Sequence, residues 1–214
     1  MALHRRLQLA GLVLALAVAA AGCGGGGSKK SALDCKVFSA SPSGGRKQSP
    51  PTQALVAGKT YTVALKTNYG SFTIKLATKE SPSTTASFVY LVNKGFFNGL
   101  IFHRIVPGFV IQGGDPTGTG EGGPGYECVD APPASTQYTH GVVAMAKTGS
   151  DPFGTSGSQF FVVTAQNAQL PAQYAVLGTV VSGLPVVDKI GKFGNASEVP
   201  TKHVVIEKAT VHVS

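Results

Sequence analysis

From Thr60 onward apolar and polar residues alternate. Tyr61, Val63 and Leu65 fall on one face, Asn68-Tyr69-Gly70 supplies turn residues, and Phe72, Ile74 and Leu76 resume the alternation. Successive strand side chains point to opposite faces, so this period of two predicts a β-hairpin with one buried side. The period then changes. Ser81-Pro82 followed by Thr84 to Asn93 predicts a helix with Ser81 as N-cap, Pro82 at the first helical position and Gly95 closing it. Proline's missing N–H goes unused in a first helical turn, and glycine accepts the left-handed exit. Ala86, Phe88, Val89, Leu91 and Val92 are the apolar positions available to its buried face. Apolar runs at Leu100 to Val106, Phe109 to Gln112, Gly141 to Ala146, Gln159 to Val163, Ala175 to Val181 and His203 to Val213 predict further strands, and Pro185 to Ile190 a short second helix. Short strands at close spacing, without regular strand–helix alternation, favour a mainly β, closed antiparallel barrel over a doubly wound sheet.

The N-terminus follows a different pattern. His4, Arg5 and Arg6 precede an almost unbroken apolar run from Leu7 to Ala21, which reads as a secretory signal and is too short to span a bilayer. It ends Ala20-Ala21-Gly22-Cys23, similar to the cleavage box of bacterial lipoproteins, although Leu is commoner at the Ala20 position. The expectation is a signal over 1–22 and a lipid on Cys23, which would anchor an exported domain to the membrane without crossing it, with ordinary cleavage at a small-residue site or an uncleaved leader as the alternatives. Gly24 to Ser28 reads GGGGS and opens a stretch rich in Ser, Pro, Gly and Lys. That composition predicts a flexible tether over 23–57 and a folded domain over 58–214.

Composition narrows the choice. A chain of 214 residues that is 43% hydrophobic and 13% charged, with 28 Gly and 13 Pro, suits one full-sized domain with appendages and excludes a disordered chain or a coiled coil. Eighteen Lys and Arg against ten Asp and Glu give +8, which would suit an anionic partner. The charges are scattered, so a solvated surface is the better reading and nucleic acid is not expected as a partner.

Several candidate motifs lack their context. Gly118-Thr119-Gly120-Glu121-Gly122-Gly123 satisfies GxGxxG, but Pro124 and Gly125 follow where a dinucleotide site needs a helix. His103, His140 and His203 have no metal-ligand spacing, so no metal is expected. Ser158, His103 and Asp115 could be written as a triad, yet no G-x-S-x-G elbow frames the serine. The segment from Phe102 to Asp115 is different, because it sets Arg104 and Gln112 among aromatic and aliphatic residues on two successive strands. An arginine so flanked must be paired or used, and spacing alone leaves open a head that reaches solvent or a carboxylate.

The run FHRIVPGFVIQGGDPTGTGEGGPGY from Phe102 to Tyr126, with Tyr90 to Gly95, Met145 to Thr148 and Gly157 to Phe161, closely resembles the cyclophilins, the cyclosporin-type peptidyl-prolyl cis-trans isomerases. The likeness runs in order from Tyr61 to Val213. It implies an eight-stranded antiparallel barrel capped by two helices, isomerisation of X-Pro bonds without a cofactor, and proline-containing segments of exported proteins as partners. Position by position it implies that Arg104 is the catalytic arginine, with Phe109 and Gln112 following it in the active groove and Phe161 as the floor of the proline pocket. Val110 stands where many members have Met, Leu170 and Tyr174 fall at the groove wall, Ala146 and Lys147 run beside the bound peptide, and Gln159 joins the substrate-binding set. Gln169 takes the place of a tryptophan found in drug-binding members, which implies weak cyclosporin binding. The loop Ser150 to Thr155 is altered in the manner of bacterial members and is placed to tune substrate preference. A monomer is expected.

Two alternatives stay open at this level. With Cys23 lipidated, Cys35 and Cys128 either form a disulfide, which would close a long loop worth about 4 to 5 kcal/mol in chain entropy, or remain separate thiols. The barrel either turns substrate over or serves as a non-catalytic proline-peptide-binding or chaperone module.

Overall fold

A computed structural model of the chain describes residues 33–37 and 46–214. The expected signal and Cys23 lie outside the described residues. In chain order the elements are β1 (Cys35–Val37), β2 (Tyr61–Thr67), β3 (Gly70–Leu76), α1 (Pro82–Asn93), β4 (Arg104–Val106), β5 (Val110–Gly113), β6 (Tyr126–Val129), β7 (Val142–Met145), β8 (Thr155–Ser156), β9 (Phe160–Val163), β10 (Val176–Ser182), α2 (Leu184–Gly191) and β11 (Ile206–Val213).

Eight strands form one antiparallel sheet in the order β11-β2-β3-β10-β7-β9-β5-β4. It curls around a core in which Val63, Leu65, Ile74, Ile105, Ile111, Val143 and Val162 are fully buried. The hairpin forms at the expected place, with Thr67 opposite Gly70 and the Thr67 hydroxyl donating to the Gly70 carbonyl at 2.7 Å. Closure departs from expectation, because the edge strands β4 and β11 share no ladder. One isolated bridge, Ile101 to Val205, spans the seam, helped by amide bonds from Phe102 to Val204 at 3.0 Å and from Ile206 to Leu100 at 2.8 Å. The barrel is therefore only partly closed. The cause is a change of partner within one segment: Leu100 to Phe102 bonds towards β11, whereas Arg104–Val106 pairs with β5 and the Ile105 amide turns to the Glu198 carbonyl.

Helix α1 starts and stops where the pattern places it, with Ser81 at the N-cap position and its carbonyl accepting the Thr85 amide at 2.9 Å, but the side-chain bond expected of that cap is not made. Ser81 makes no side-chain cap, and its buried hydroxyl has no partner among the described residues. Asp130, just past the end of β6, supplies the side-chain bonds instead, its carboxylate accepting the Thr84 amide at 2.6 Å and the Ser83 amide at 3.4 Å. A carboxylate at a helix N-terminus satisfies free donors and meets the positive end of the dipole, which offsets the missing serine bond.

A second, three-stranded sheet, β1-β6-β8, was not anticipated from the pattern. Cys35 lies opposite Cys128 in its register, and the two form a disulfide. Residues expected to be tether therefore pack on the barrel. Arg46 donates to the carbonyls of Phe96 and Asn98, the Gln48 amide reaches the Pro124 carbonyl at 2.8 Å, Leu55 packs on the core, and the Val56 amide donates to the Tyr61 hydroxyl at 3.0 Å. Over 33–37 and 46–57 the chain is fixed by backbone bonds and by a covalent link, which the Ser/Pro/Gly composition does not betray.

Candidate active groove

Strand register assembles the groove. Arg104 pairs with Gln112, and Gln112 with Phe161, and Phe161 with Ala144, so these four side chains form a row across β4, β5, β9 and β7 on one face of the sheet. Their neighbours Ile105, Ile111, Val162 and Val143 form the matching row on the opposite face, in the core. One alternation thus serves two purposes. The outer face is itself apolar where Val110, Phe161, Val163 and Val176 pack with Phe109, Leu170 and Tyr174.

A groove of about 310 Å³ opens over this patch, lined by Arg104, Phe109, Val110, Gln112, Ala146, Lys147, Phe161, Leu170 and Tyr174. Every expected groove residue except Gln159 is there. Beside it lies a second hollow of about 440 Å³, which shares Gln112, Ala146 and Lys147 and is otherwise walled by Gly120 to Pro124, Tyr126, Glu127, Thr148, Asp151 and Gly157 to Gln159. Gln159 belongs to that second hollow and stands behind Gln112.

The polar side chains form a directed chain of hydrogen bonds. Arg104 donates from Nη1 to Gln112 Oε1 at 3.2 Å, Gln112 donates from Nε2 to Gln159 Oε1 at 3.0 Å, and Gln159 donates from Nε2 to the carbonyls of Gly120 and Gly122 at 2.8 and 2.9 Å. Since guanidinium is donor-only, each amide must turn its oxygen towards the arginine and its NH₂ away. The other side of Arg104 is also held: its Nε donates to Glu198 Oε2 at 2.6 Å. That bond, with the adjacent positive charge, holds the Glu198 carboxyl below its ordinary value.

The Gly-rich loop behind this chain is built around a carboxylate. Asp115, 1% exposed, accepts the Thr117 amide at 2.7 Å and hydroxyl at 2.8 Å through Oδ1, and the Gly120 amide through Oδ2. Burial alone would raise its pKa, but those donors and the Gly122 amide bring it below the ordinary carboxylate value. The loop's amides thus point at the protein's own anion, the reverse of a cradle free to receive phosphate. Gly122 is required by space, because a Cβ there would meet Asp115 Oδ1 at 2.0 Å.

Two members of the site had no local signature. Tyr138, fully buried, underpins the groove wall: its hydroxyl donates to the Tyr174 carbonyl at 2.7 Å and accepts the Tyr174 amide at 2.9 Å, and the Tyr174 ring stands edge-on to both Tyr138 and Phe161. Glu198 comes from the loop after α2, far along the chain from Arg104. Neither is flanked by a pattern that points to the groove. Lys147 is tethered, donating to the Thr148 and Asp151 carbonyls at 3.0 and 3.1 Å, with its ammonium 5.7 Å from the Tyr174 ring centre. His103 lies apart, lining a separate hollow with Ile101, Val199 and Pro200, and burial lowers its pKa.

The model of the cyclophilin type peptidyl-prolyl cis-trans isomerase family matches residues 62–211. The chain is a member of the cyclophilins. Among curated relatives of this cyclophilin, peptidyl-prolyl cis-trans isomerase-like 1 of Aspergillus oryzae is 39% identical over 154 residues, 70% of this chain and 94% of the relative. A peptidyl-prolyl cis-trans isomerase of Helicobacter pylori is 41% identical over 135 residues, 62% of this chain and 81% of the relative. Among solved structures, a Cryptosporidium parvum cyclophilin type peptidyl-prolyl cis-trans isomerase superposes with a TM-score of 0.64 at 30% identity, covering 72% of this chain and 98% of that one. The same protein has been solved in the presence of the dipeptide Ala-Pro, with a TM-score of 0.63 to this cyclophilin at 31% identity, covering 71% of this chain and 98% of that one.

Proposed function

We propose that this cyclophilin accelerates cis/trans isomerisation of X-Pro bonds in exported proteins, with Arg104 as the catalytic residue. The observation that carries the assignment is the placement of one clamped guanidinium at the edge of an apolar groove walled by Phe109, Val110, Phe161 and Leu170. Trans is favoured at X-Pro by only about 0.5 to 1 kcal/mol, but rotation must break amide resonance against a barrier of about 18 to 20 kcal/mol. A catalyst need make no covalent bond; it has only to favour the twisted amide over both planar forms. Twisting leaves a lone pair on the proline nitrogen, which a guanidinium can hydrogen-bond, whereas the planar nitrogen offers it little. Arg104 suits that task because it is always charged and its donors are rigidly disposed. The apolar wall seats the pyrrolidine ring away from water, and Gln112 orients the arginine.

Export and anchoring belong to the same reading. The apolar leader and the Cys23 box support a lipid anchor on the extracytoplasmic side, and the Cys35–Cys128 disulfide suits an oxidising compartment. Gln169 in place of a tryptophan supports weak cyclosporin binding. The decisive experiment is an NMR exchange or protease-coupled assay on an Ala-Pro peptide, comparing the wild type with Arg104→Ala. Turnover should collapse while the fold remains, and undiminished catalysis would overturn the assignment. The wild type should incorporate a labelled fatty acid and Cys23→Ser should not; an unlabelled wild type would refute the anchor.

A further inference from the structure

Clamping a guanidinium requires contacts on more than one edge. Gln112 holds only the Nη1 end of Arg104, and the Nε edge is held by a carboxylate from a separate part of the chain. We propose that Glu198 is a positioning residue for isomerisation, its carboxylate fixing the Nε edge of Arg104 so that both Nη2 donors stay available to the substrate. The proposal rests on the catalytic reading of Arg104. Among the described residues, Nη2 has no protein partner.

The loop that carries Glu198 is built to hold it there. Glu198 adopts φ +63°, a left-handed conformation that costs energy in any residue with a Cβ and is unusual for glutamate. Its amide donates to the Asn195 carbonyl at 3.0 Å, and Asn195 Oδ1 accepts the flanking amides of Ser197 and Val199 at 2.9 and 3.0 Å. Its carbonyl accepts the Ile105 amide at 3.1 Å, which ties the loop to the residue next to Arg104 in β4. At the loop's start Gly194 lets the backbones meet, since a Cβ there would lie 2.2 Å from the Ile105 carbonyl oxygen. The loop is thus anchored to β4 by its backbone, and the Glu198 side chain is free to serve Arg104. Stability does not account for the pair. The Glu198 side chain is 46% exposed and that of Arg104 34%, and ion pairs so open to water add little to folding. A persistent cost in backbone conformation beside a pair of small stabilising value points to a role in turnover.

The test measures kcat and KM on an Ala-Pro peptide for Glu198→Ala, Glu198→Gln and Glu198→Asn, alone and combined with Arg104→Ala. Glu198→Ala should lower kcat about tenfold with KM and thermal midpoint nearly unchanged, as expected when a reacting group loses its orientation. Glu198→Gln keeps an acceptor of the same reach and should recover most of that loss. Glu198→Asn suits a left-handed residue but cannot reach Arg104, so it should behave like Ala and keep the proposal testable if Ala disturbs the loop. In the Arg104→Ala background none of these changes should reduce kcat further. An unchanged kcat in Glu198→Ala, an effect confined to KM, or a loss that adds to that of Arg104→Ala would each overturn the positioning role. If Arg104→Ala alone left turnover intact, the failure would lie with the arginine assignment instead.

Discussion

The two neighbouring hollows share Gln112, Ala146 and Lys147 yet are made in opposite ways. The groove beside Arg104 is floored by strands, its side chains fixed by ladder register and packed against a buried tyrosine. The second hollow is walled by loops whose shape depends on one buried carboxylate, several glycines and the strand β6 that carries Cys128. Strand-built geometry is over-determined by many backbone bonds, whereas loop-built geometry hangs on a few side chains. Disturbing each side separately should therefore have unequal consequences.

The largest expected effect lies on the loop side. Cys35→Ser combined with Cys128→Ala removes a link spanning 93 positions and should lower unfolding free energy by about 4 kcal/mol on chain-entropy grounds, read by denaturant titration. Turnover at temperatures where the fold persists should stay near the wild-type value, and a parallel loss would show that the two hollows are not separable. Next, Arg104→Ala should cut kcat about a hundredfold, the usual consequence of losing one preorganised donor, with the denaturation midpoint little changed. Asp115→Asn is smaller: weakening hydrogen bonds to a buried charged acceptor should cost about 1 to 3 kcal/mol of stability. Its pH dependence has a definite sign. The folded carboxyl lies below its ordinary value, so its contribution is complete above the unfolded pKa of about 4 and disappears as pH falls through the folded value. The stability gap between wild type and Asp115→Asn should therefore narrow on acidification, and a gap that widened would contradict this role for Asp115. The smallest effect belongs to Lys147→Ala, which frees the loop around Asp151 and Phe153 and should raise amide exchange there while changing kcat less than threefold, about the level expected of an exposed contact.

The same contrast explains what the chain reveals on reading. Arg104, Gln112 and Phe161 stand in short apolar runs that read as strands, and ladder register sets them on one face, but it is the family resemblance that marks all three as site residues. Glu198 and Tyr138 act through long-range contacts that no local period records. Ser81 holds the N-cap position, yet the side-chain bonds to the first helical amides come from Asp130, just past the end of β6 and remote in sequence. The seam stayed partly open because one apolar run divides its hydrogen bonds between two partners, and hydrophobicity alone cannot show where such a division falls. Strand β1 lies in residues whose composition suggests a flexible tether, and its partners β6 and β8 are too short to stand out as apolar runs.

The disulfide also sets a length. For a chain held at Cys23, a domain first attached at Gly58 would have a leash of roughly 120 Å at full extension. Attachment at Cys35 shortens that leash to roughly 40 Å. Reducing the bond leaves the β1–β6 pairing and the contacts of Arg46 and Gln48 to hold that shorter reach, so the leash lengthens only when these open as well.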